Sequence, residues 1–336
     1  MRIVVVGATG NIGTALLRAV TARHTVTSVD AVSRRGAGRL IVEGVPVRQH
    51  QLDLATPEGS SDRQAFAALA AGADAVVHLA WAHERSAARE TEANALLSSA
   101  VLHGAVGAAQ LVVVSCASVY APSYGLAPRA EDWPTTGVPD SSVSADRVGL
   151  ESMVERFAAA HPDVVASVVR PTITLQESAG AELVRRYVGP LLPRVGLGRS
   201  YPLLLWPEGL RLQVAHADDV AAALLAVIER RAPGPYNVAS PQVLDGAAVA
   251  EALGATRLVE VPRNVAGGVH TAAWWAHAVR ARPEWLGTLL AQPVLDCSRA
   301  RDLLGVVPVW DGADVLRAAA RGVAQRREGW TPPLSR

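Results

Sequence analysis

The sequence predicts an α/β fold, a doubly wound parallel sheet with a smaller, discontinuous C-terminal lobe. Three observations carry the prediction. The chain opens RIVVV, turns through GATGNIG and continues TALLRAV: a strand, a glycine-rich turn and a helix. As far as residue 171, short apolar runs alternate with helix-like patterns, as they do where helices carry the chain between parallel strands. Beyond that point the alternation loosens into Gly- and Pro-rich stretches and short pieces.

RIVVV at 2–6 reads as a buried strand, and Gly7, Gly10 and Gly13 punctuate the turn and helix after it. The first glycine allows a tight turn off the strand. The second lets backbone N–H groups approach a pyrophosphate, and the third lets the helix pack closely. A glycine triplet alone is weak, but a strand before it and a helix after it give it meaning. The sheet is therefore Rossmann-like, with Gly7, Thr9, Gly10, Asn11, Ile12 and Gly13 around a cofactor's phosphates. TVTSVDAV is the second strand, and its end decides the cofactor. Asp30 lies 17 residues past Gly13, close to where an acidic residue grips a ribose 2′-hydroxyl. If the strand continues to Ser33, Arg34 and Arg35 reach the ribose instead and would pair with a 2′-phosphate. The reading favours NADP, with NAD as the alternative.

VPVRQHQLDL, AVVHLA, LVVVSCAS and VVASVVRP supply further strands, with helices at QAFAALAAG, ETEANALLSSAVLHGA and 144–160. GPLLPRVGLGRSYPLLLWPEG reads as loops with short elements, and LRLQVAHADDVAAALLAVIERR restores a strand and an amphipathic helix. Past Asn237 lie five of the eight tryptophans: Trp274, Trp275, Trp285, Trp310 and Trp330. They read as core or rim of the second lobe, and Trp81 as the one closest to the site. The pattern assigns 1–171 plus 211–240 to the dinucleotide-binding domain and 172–210 plus 241–336 to a substrate-binding lobe.

Composition excludes several classes. With 32 basic and 31 acidic residues the net charge is +1, so there is no electrostatic case for nucleic acid or an anionic membrane. No apolar stretch approaches the roughly 20 residues of a membrane span. Two cysteines, Cys116 and Cys297, lack metal-ligand spacing and cannot form a disulfide framework, which fits a reduced cytoplasm and no metal. RIVVVG is too short for a signal peptide. Every basic residue is arginine and none is lysine, the bias of a GC-rich genome.

These residues together resemble the extended short-chain dehydrogenase/reductases, the NAD-dependent epimerase/dehydratase family, over almost the full length. GATGNIG resembles the family's glycine loop, Asp53–Leu54 its adenine-contacting pair, and HLAW, with Leu79, Ala80 and Trp81, its strand-four motif beside the nicotinamide. Asn94, VSCASVY at 114–120, Arg170–Pro171, His216 with Asp218–Asp219, and YNVAS from Tyr236 match its later landmarks. DCSRARDLLG and the terminal PPL resemble an actinobacterial subgroup. The resemblance implies a nicotinamide cofactor, a small-molecule substrate and a homodimer through helices at about 89–104 and 144–160.

The departures are as specific. Aligned on Glu151, the family's catalytic tyrosine falls on Val143 and its lysine on Arg147, while Cys116 stands where a serine or threonine is expected. Valine has no proton to give. Arginine keeps a cation that could hold ribose hydroxyls but does not deprotonate. Replacement acid/base groups are sought in His83 with Glu84, Tyr120, Ser118 and Cys116, with Arg147 as a fixed cation. His83 is favoured because histidine titrates near neutral pH, against an exposed helix start as the plain reading. Asp146 and His216 are weaker candidates. Three functions fit: an NAD(P)-dependent oxidoreductase with a rebuilt acid/base group, a non-redox cyclase, dehydratase or isomerase on the same fold, or a catalytically silent nucleotide sensor. The apolar, tryptophan-rich second lobe favours an enzyme acting on a hydrophobic small molecule, as in bacterial secondary metabolism.

Overall fold

The computed structural model describes residues 1–36, 43–183, 197, 200–325, 327, 329, 331 and 334. Seven strands form the main sheet: β1 (Arg2–Val6), β2 (Ser28–Ser33), β3 (Val47–Gln51), β4 (Ala75–His78), β5 (Gln110–Val114), β6 (Val165–Pro171) and β10 (Gly234–Val238). All are parallel, in the order β10-β6-β5-β4-β1-β2-β3. The order reverses at β1, so the crevice between the carboxyl ends of β1 and β4 is the switch point where open α/β sheets bind ligands.

RIVVV is apolar throughout because both of its faces are covered. Ile3 and Val5 join the helices α1 (Asn11–Val20), α6 (Ala217–Arg230) and α10 (Ser298–Leu304) on one side. Val4 and Val6 join α2 (Ser61–Ala70), α3 (Ala87–Ala105) and α4 (Ser142–Ala160) on the other. Strand side chains alternate faces, so a doubly covered strand cannot alternate polar with apolar residues.

The second lobe holds two small sheets. One is β7 (Ile173–Leu175), β9 (Leu212–His216) and β11 (Val243–Leu244), in the order β11-β9-β7. The other pairs β8 (Leu204–Pro207) with β12 (Leu258–Val261). With them are α5 (Gly180–Leu183), α7 (Gly246–Leu253), α8 (Arg263–Trp275), α9 (Glu284–Ala291) and α11 (Gly312–Ala324). Trp206, Leu244, Leu289 and Val315 lie in the core of this lobe. The strand grouped by pattern with the dinucleotide-binding part, β9, pairs with β7 and β11, whereas α6, directly after it, packs on the main sheet. Within the stretch read as loops, residues 204–207 form β8. Trp330 and the terminal prolines Pro332 and Pro333 lie outside the described residues. No described helix is long and apolar enough to cross a membrane.

Candidate active site

Gly7 leaves β1 at φ +90°, and a Cβ there would lie 2.6 Å from the Ala80 nitrogen just past β4. Only glycine fits both the backbone conformation and this approach. A Cβ on Gly13 would run into the Gly7 carbonyl, so α1 rests directly on the turn. Gly10 differs: a Cβ would meet only the Gly7 oxygen, at 3.4 Å, which leaves room in front of the helix start. The first turns of α2, α3 and α4 are capped by Ser60, Ser86 and Ser141, but Gly10 gives α1 no side-chain cap. An uncapped helix N-terminus facing open space suits an anion, and the residues present fit a dinucleotide's pyrophosphate.

Around this turn the predicted contacts sort themselves. Asn11 commits its side chain to the Thr174 carbonyl, at 2.8 Å, and to Gln176, at 2.7 Å, so only its backbone remains for a ligand. Thr9 is buried, and its carbonyl accepts from Thr331 Oγ1 at 2.6 Å. Ile12, in the first turn of α1, packs against the core. β2 runs to Ser33, so Asp30 is internal to the strand. Its buried carboxylate is held by Arg2 at 3.1 Å and His50 at 2.9 Å. Arg34 and Arg35, both exposed, follow the strand's end. Asp53 is tied into a turn by the Ala55 N–H, and Leu54 is buried next to it.

At the other end Leu79, Ala80 and Trp81 are half-buried beyond β4. The Arg147 guanidinium carbon lies 3.5 Å from the centre of the Trp81 ring, and Nη1 donates to the Val114 carbonyl at 3.0 Å. The cation thus bridges the carboxyl edges of β4 and β5, a cation–π contact reinforced by a charge-assisted hydrogen bond. Val143 stands half-buried one turn earlier on the same helix. Beneath them His78 is fully buried with Nε2 3.2 Å from Ser98 Oγ. Burial, and then the Arg147 charge, push its imidazole down to about 3, so it stays neutral.

The proposed proton carriers do not share one environment. Cys116 is half-buried at the β5 edge with Sγ 2.8 Å from Ser118 Oγ. Ser118 is buried behind it, and its carbonyl accepts from Ser144 Oγ at 2.6 Å. Tyr120 belongs to the core. It is fully buried, donates to Asn237 Oδ1 at 2.7 Å and accepts from Arg170 Nη1 at 2.8 Å, and burial pushes its phenol up to about 12. Its hydroxyl is engaged on both sides, which removes it from proton transfer. His83 is exposed on the loop between β4 and α3. Asn94 fixes that loop through both polar groups of Ala82, and Glu90 accepts from the Glu84 N–H at 2.8 Å. Asp146 accepts from Thr91 at 2.7 Å, and burial raises its carboxyl. His216 caps α6 and stacks on Trp310 with ring centres 4.0 Å apart, a structural placement.

Sequence reasoning missed the clasp over this loop. Arg282 pairs with Glu90 at 3.0 Å across 192 residues of sequence and with Glu284 at 3.1 Å. Arg85 meets His277 and lies over the Trp274 ring. No local motif announces contacts between residues so far apart.

The fold and this crevice define a dinucleotide-binding protein of the Rossmann class. The model of the NAD-dependent epimerase/dehydratase family matches residues 3–239, and the chain belongs to that family. Its fold is similar to that of the UDP-glucose 4-epimerase of Thermus thermophilus in complex with NAD (20% identity, TM-score 0.68, 96% of this chain and 99% of that one). It is also similar to a short-chain dehydrogenase/reductase superfamily protein from Agrobacterium tumefaciens with bound NAD (18% identity, TM-score 0.68, covering 97% and 98%). Pal from Bacillus thuringiensis is a third likeness (15% identity, TM-score 0.71, covering 97% and 100%). Among curated proteins, none matches the chain by sequence.

Proposed function

We propose that the protein is an NADP-dependent enzyme acting on a small, largely apolar molecule, with its acid/base work moved off the α4 position held by Val143. The observation that carries this reading is the Arg147 guanidinium, fixed between Trp81 and the Val114 carbonyl one turn from an apolar side chain. A nicotinamide, when bound, supplies a hydride acceptor and donor beside these edges. The chain's own residues do the rest. Backbone N–H groups at the start of α1 hold the pyrophosphate. Arg34 and Arg35 pair with a 2′-phosphate, and Arg147 holds a permanent positive charge at the β4 and β5 edges. In this reading Cys116, beside the Ser118 hydroxyl, and the exposed His83 move the proton.

A second reading, a non-redox isomerase or dehydratase with the same nucleotide, is favoured by Val143 itself, which cannot serve a carbonyl reduction. Turnover that never changes the cofactor's absorbance would select it. The cofactor assignment is tested by titrating NADPH and NADH into the wild type and the Arg34→Ala/Arg35→Ala variant. Loss of a charge-assisted contact worth roughly 1.5–3 kcal/mol should erase a preference for NADPH of about tenfold or more. An unchanged affinity ratio would return the assignment to NAD.

A further inference from the structure

Helix α8 is turned inside out. Past Arg263 and Asn264 at its start, every exposed residue of the helix is apolar or glycine: Val265, Gly268, Val269, Ala272 and Trp275. Steps of three, one, three and three residues put all five on one face. The half-buried side carries the polar His270 and Thr271 instead. His270 Nε2 lies 3.1 Å from the Arg282 carbonyl, and its ring is 6.3 Å from that of Trp285 in α9. No residue of α8 is buried, and Val265, Val269 and Trp275 are 50%, 64% and 69% exposed. A surface helix ordinarily turns its apolar stripe to the core, so an apolar face in the open marks a surface that something else covers.

Charge and size select what covers it. Between Glu260 and Glu284 the sequence has no carboxylate, and Glu284 is paired with Arg282 at 3.1 Å. Arg263 and Arg280 stand exposed at the two ends of this stretch. The exposed acids near its start are Glu260 and Glu208, the carbonyl of Glu208 accepting from Arg263 Nε at 2.8 Å. A net charge of +1 gives the chain as a whole no attraction to an anionic membrane, but this stretch is locally cationic and apolar. Tryptophan at the edge of such a face suits the boundary between water and lipid. A helix of this length is about 20 Å long and about 10 Å wide, so its face offers about 200 Å². That is roughly a quarter of the ~800 Å² that each partner gives to a stable protein interface. An apolar face between cations is, by contrast, enough for a helix to lie at the headgroup boundary of a bilayer. The face also ends beside the crevice: Trp274, in edge-on contact with Trp275, lies under Arg85 of the loop between β4 and α3.

We propose that the outward face of α8 docks on an anionic lipid bilayer. Val265, Val269 and Trp275 enter the headgroup boundary, and Arg263 and Arg280 meet the anionic headgroups. Docking in this way sets the mouth of the crevice at the bilayer surface.

The test is flotation of the full chain with unilamellar vesicles of phosphatidylcholine alone and of phosphatidylcholine with about a third phosphatidylglycerol. The wild type should bind the anionic vesicles about tenfold or more tightly than the neutral ones, since each arginine near the surface contributes roughly fivefold. Val269→Glu, on an exposed position and with folding checked by circular dichroism, should lose at least tenfold in binding to both vesicles, while Val269→Leu should bind like the wild type. Arg263→Gln with Arg280→Gln should bring the anionic vesicles down to the neutral ones. Folded wild-type protein that floats with neither vesicle, or a Val269→Glu variant that binds as well as the wild type, overturns the proposal. So does a wild-type dimer in sedimentation that Val269→Glu dissociates, which would give this face to a second copy of the chain. NADPH titration of the same samples keeps the claims apart. Vesicle binding without NADPH binding removes the cofactor reading alone, and NADPH binding without vesicle binding removes the docking face alone.

Discussion

Buried beneath the Arg147–Trp81 stack, His78 carries the clearest pH consequence of any single residue. In the folded chain its imidazole lies at about 3 rather than the ordinary 6.5, through burial first and the Arg147 charge second. As pH falls below the unfolded value, the unfolded chain takes up a proton that the folded one refuses. The stability contributed by neutral His78 is therefore present above about pH 6.5 and lost as pH falls toward about 3. Urea unfolding measured from about pH 7 to 4 should lose up to roughly 1.4 kcal/mol per pH unit to this one site. The His78→Asn variant should show a slope shallower by close to one proton. Identical slopes would contradict the assignment.

The catalytic candidates were only partly legible in the sequence. Sequence position identified the β5 edge correctly as a cluster of thiol and hydroxyl groups, because Cys116, Ser118 and Tyr120 are neighbours in the chain. It could not separate them. A turn of 3-10 helix over Ala117–Val119 leaves Cys116 half-buried, puts Ser118 behind it and sends Tyr120 into the core toward Arg170 and Asn237. Which hydroxyl is engaged depends on partners 50 and 117 residues away. Asp30 is the converse case. An acidic residue at a suggestive distance from the glycine loop turns out to be held by Arg2 and His50 inside the sheet.

Among the elements, α4 bears most directly on the site, since it carries Val143 and Arg147. One turn past Arg147, Glu151 meets Arg170 of β6 through Nε at 3.0 Å and Nη2 at 2.5 Å, with both side chains 6% exposed. This pair ties the helix to the sheet. Glu151→Gln leaves the Arg170 cation buried with a neutral partner, and removing one member of a buried pair costs about 3–5 kcal/mol. Thermal denaturation should show a drop of several degrees or more, with weakened cofactor binding as α4 loosens. Replacing both partners, as Glu151→Leu with Arg170→Met, should cost less than the single change. A Glu151→Gln protein as stable as wild type would contradict the anchoring role.

Strands and helices of the first half were legible because period and turn chemistry agree there. RIVVV before three spaced glycines has one consistent reading, and so do the long helices α3 and α4. Boundaries moved where tertiary partners decide: β2 extends to Ser33 alongside Gln51 of β3, and β5 stops at Val114. In the second lobe, strands of two to five residues, β7, β8, β9, β11 and β12, carry too little pattern to announce their pairing.

Across the whole molecule, the lobes are stitched together at the glycine loop itself. Asn11 and Arg18 of α1 bond to Thr174 and Gln176 beyond β6, and Thr331 reaches back to the Thr9 carbonyl. On the far side Arg282 grips Glu90. The crevice at the switch point is thus framed by segments far apart in sequence, the separation for the Asn11–Thr174 bond being 163. That the chain would bind a dinucleotide was readable from its opening strand, glycine turn and helix. How the second lobe frames the crevice was not, because no single segment encodes it.

The proposed function rests on a nicotinamide dinucleotide seated on the α1 N-terminus, in the space open before Gly10. Calorimetric titration of NADPH and NADH into the wild type and Gly10→Val probes that seat directly. A branched side chain at Gly10 would project into the open space while the fold, monitored by circular dichroism and melting temperature, stays intact. The expected result is saturable binding to the wild type, NADPH the tighter, reduced at least about tenfold in Gly10→Val, the scale of a lost charge-assisted contact. Folded wild-type protein that takes up neither dinucleotide, or a Gly10→Val variant that binds as well as wild type, would contradict it.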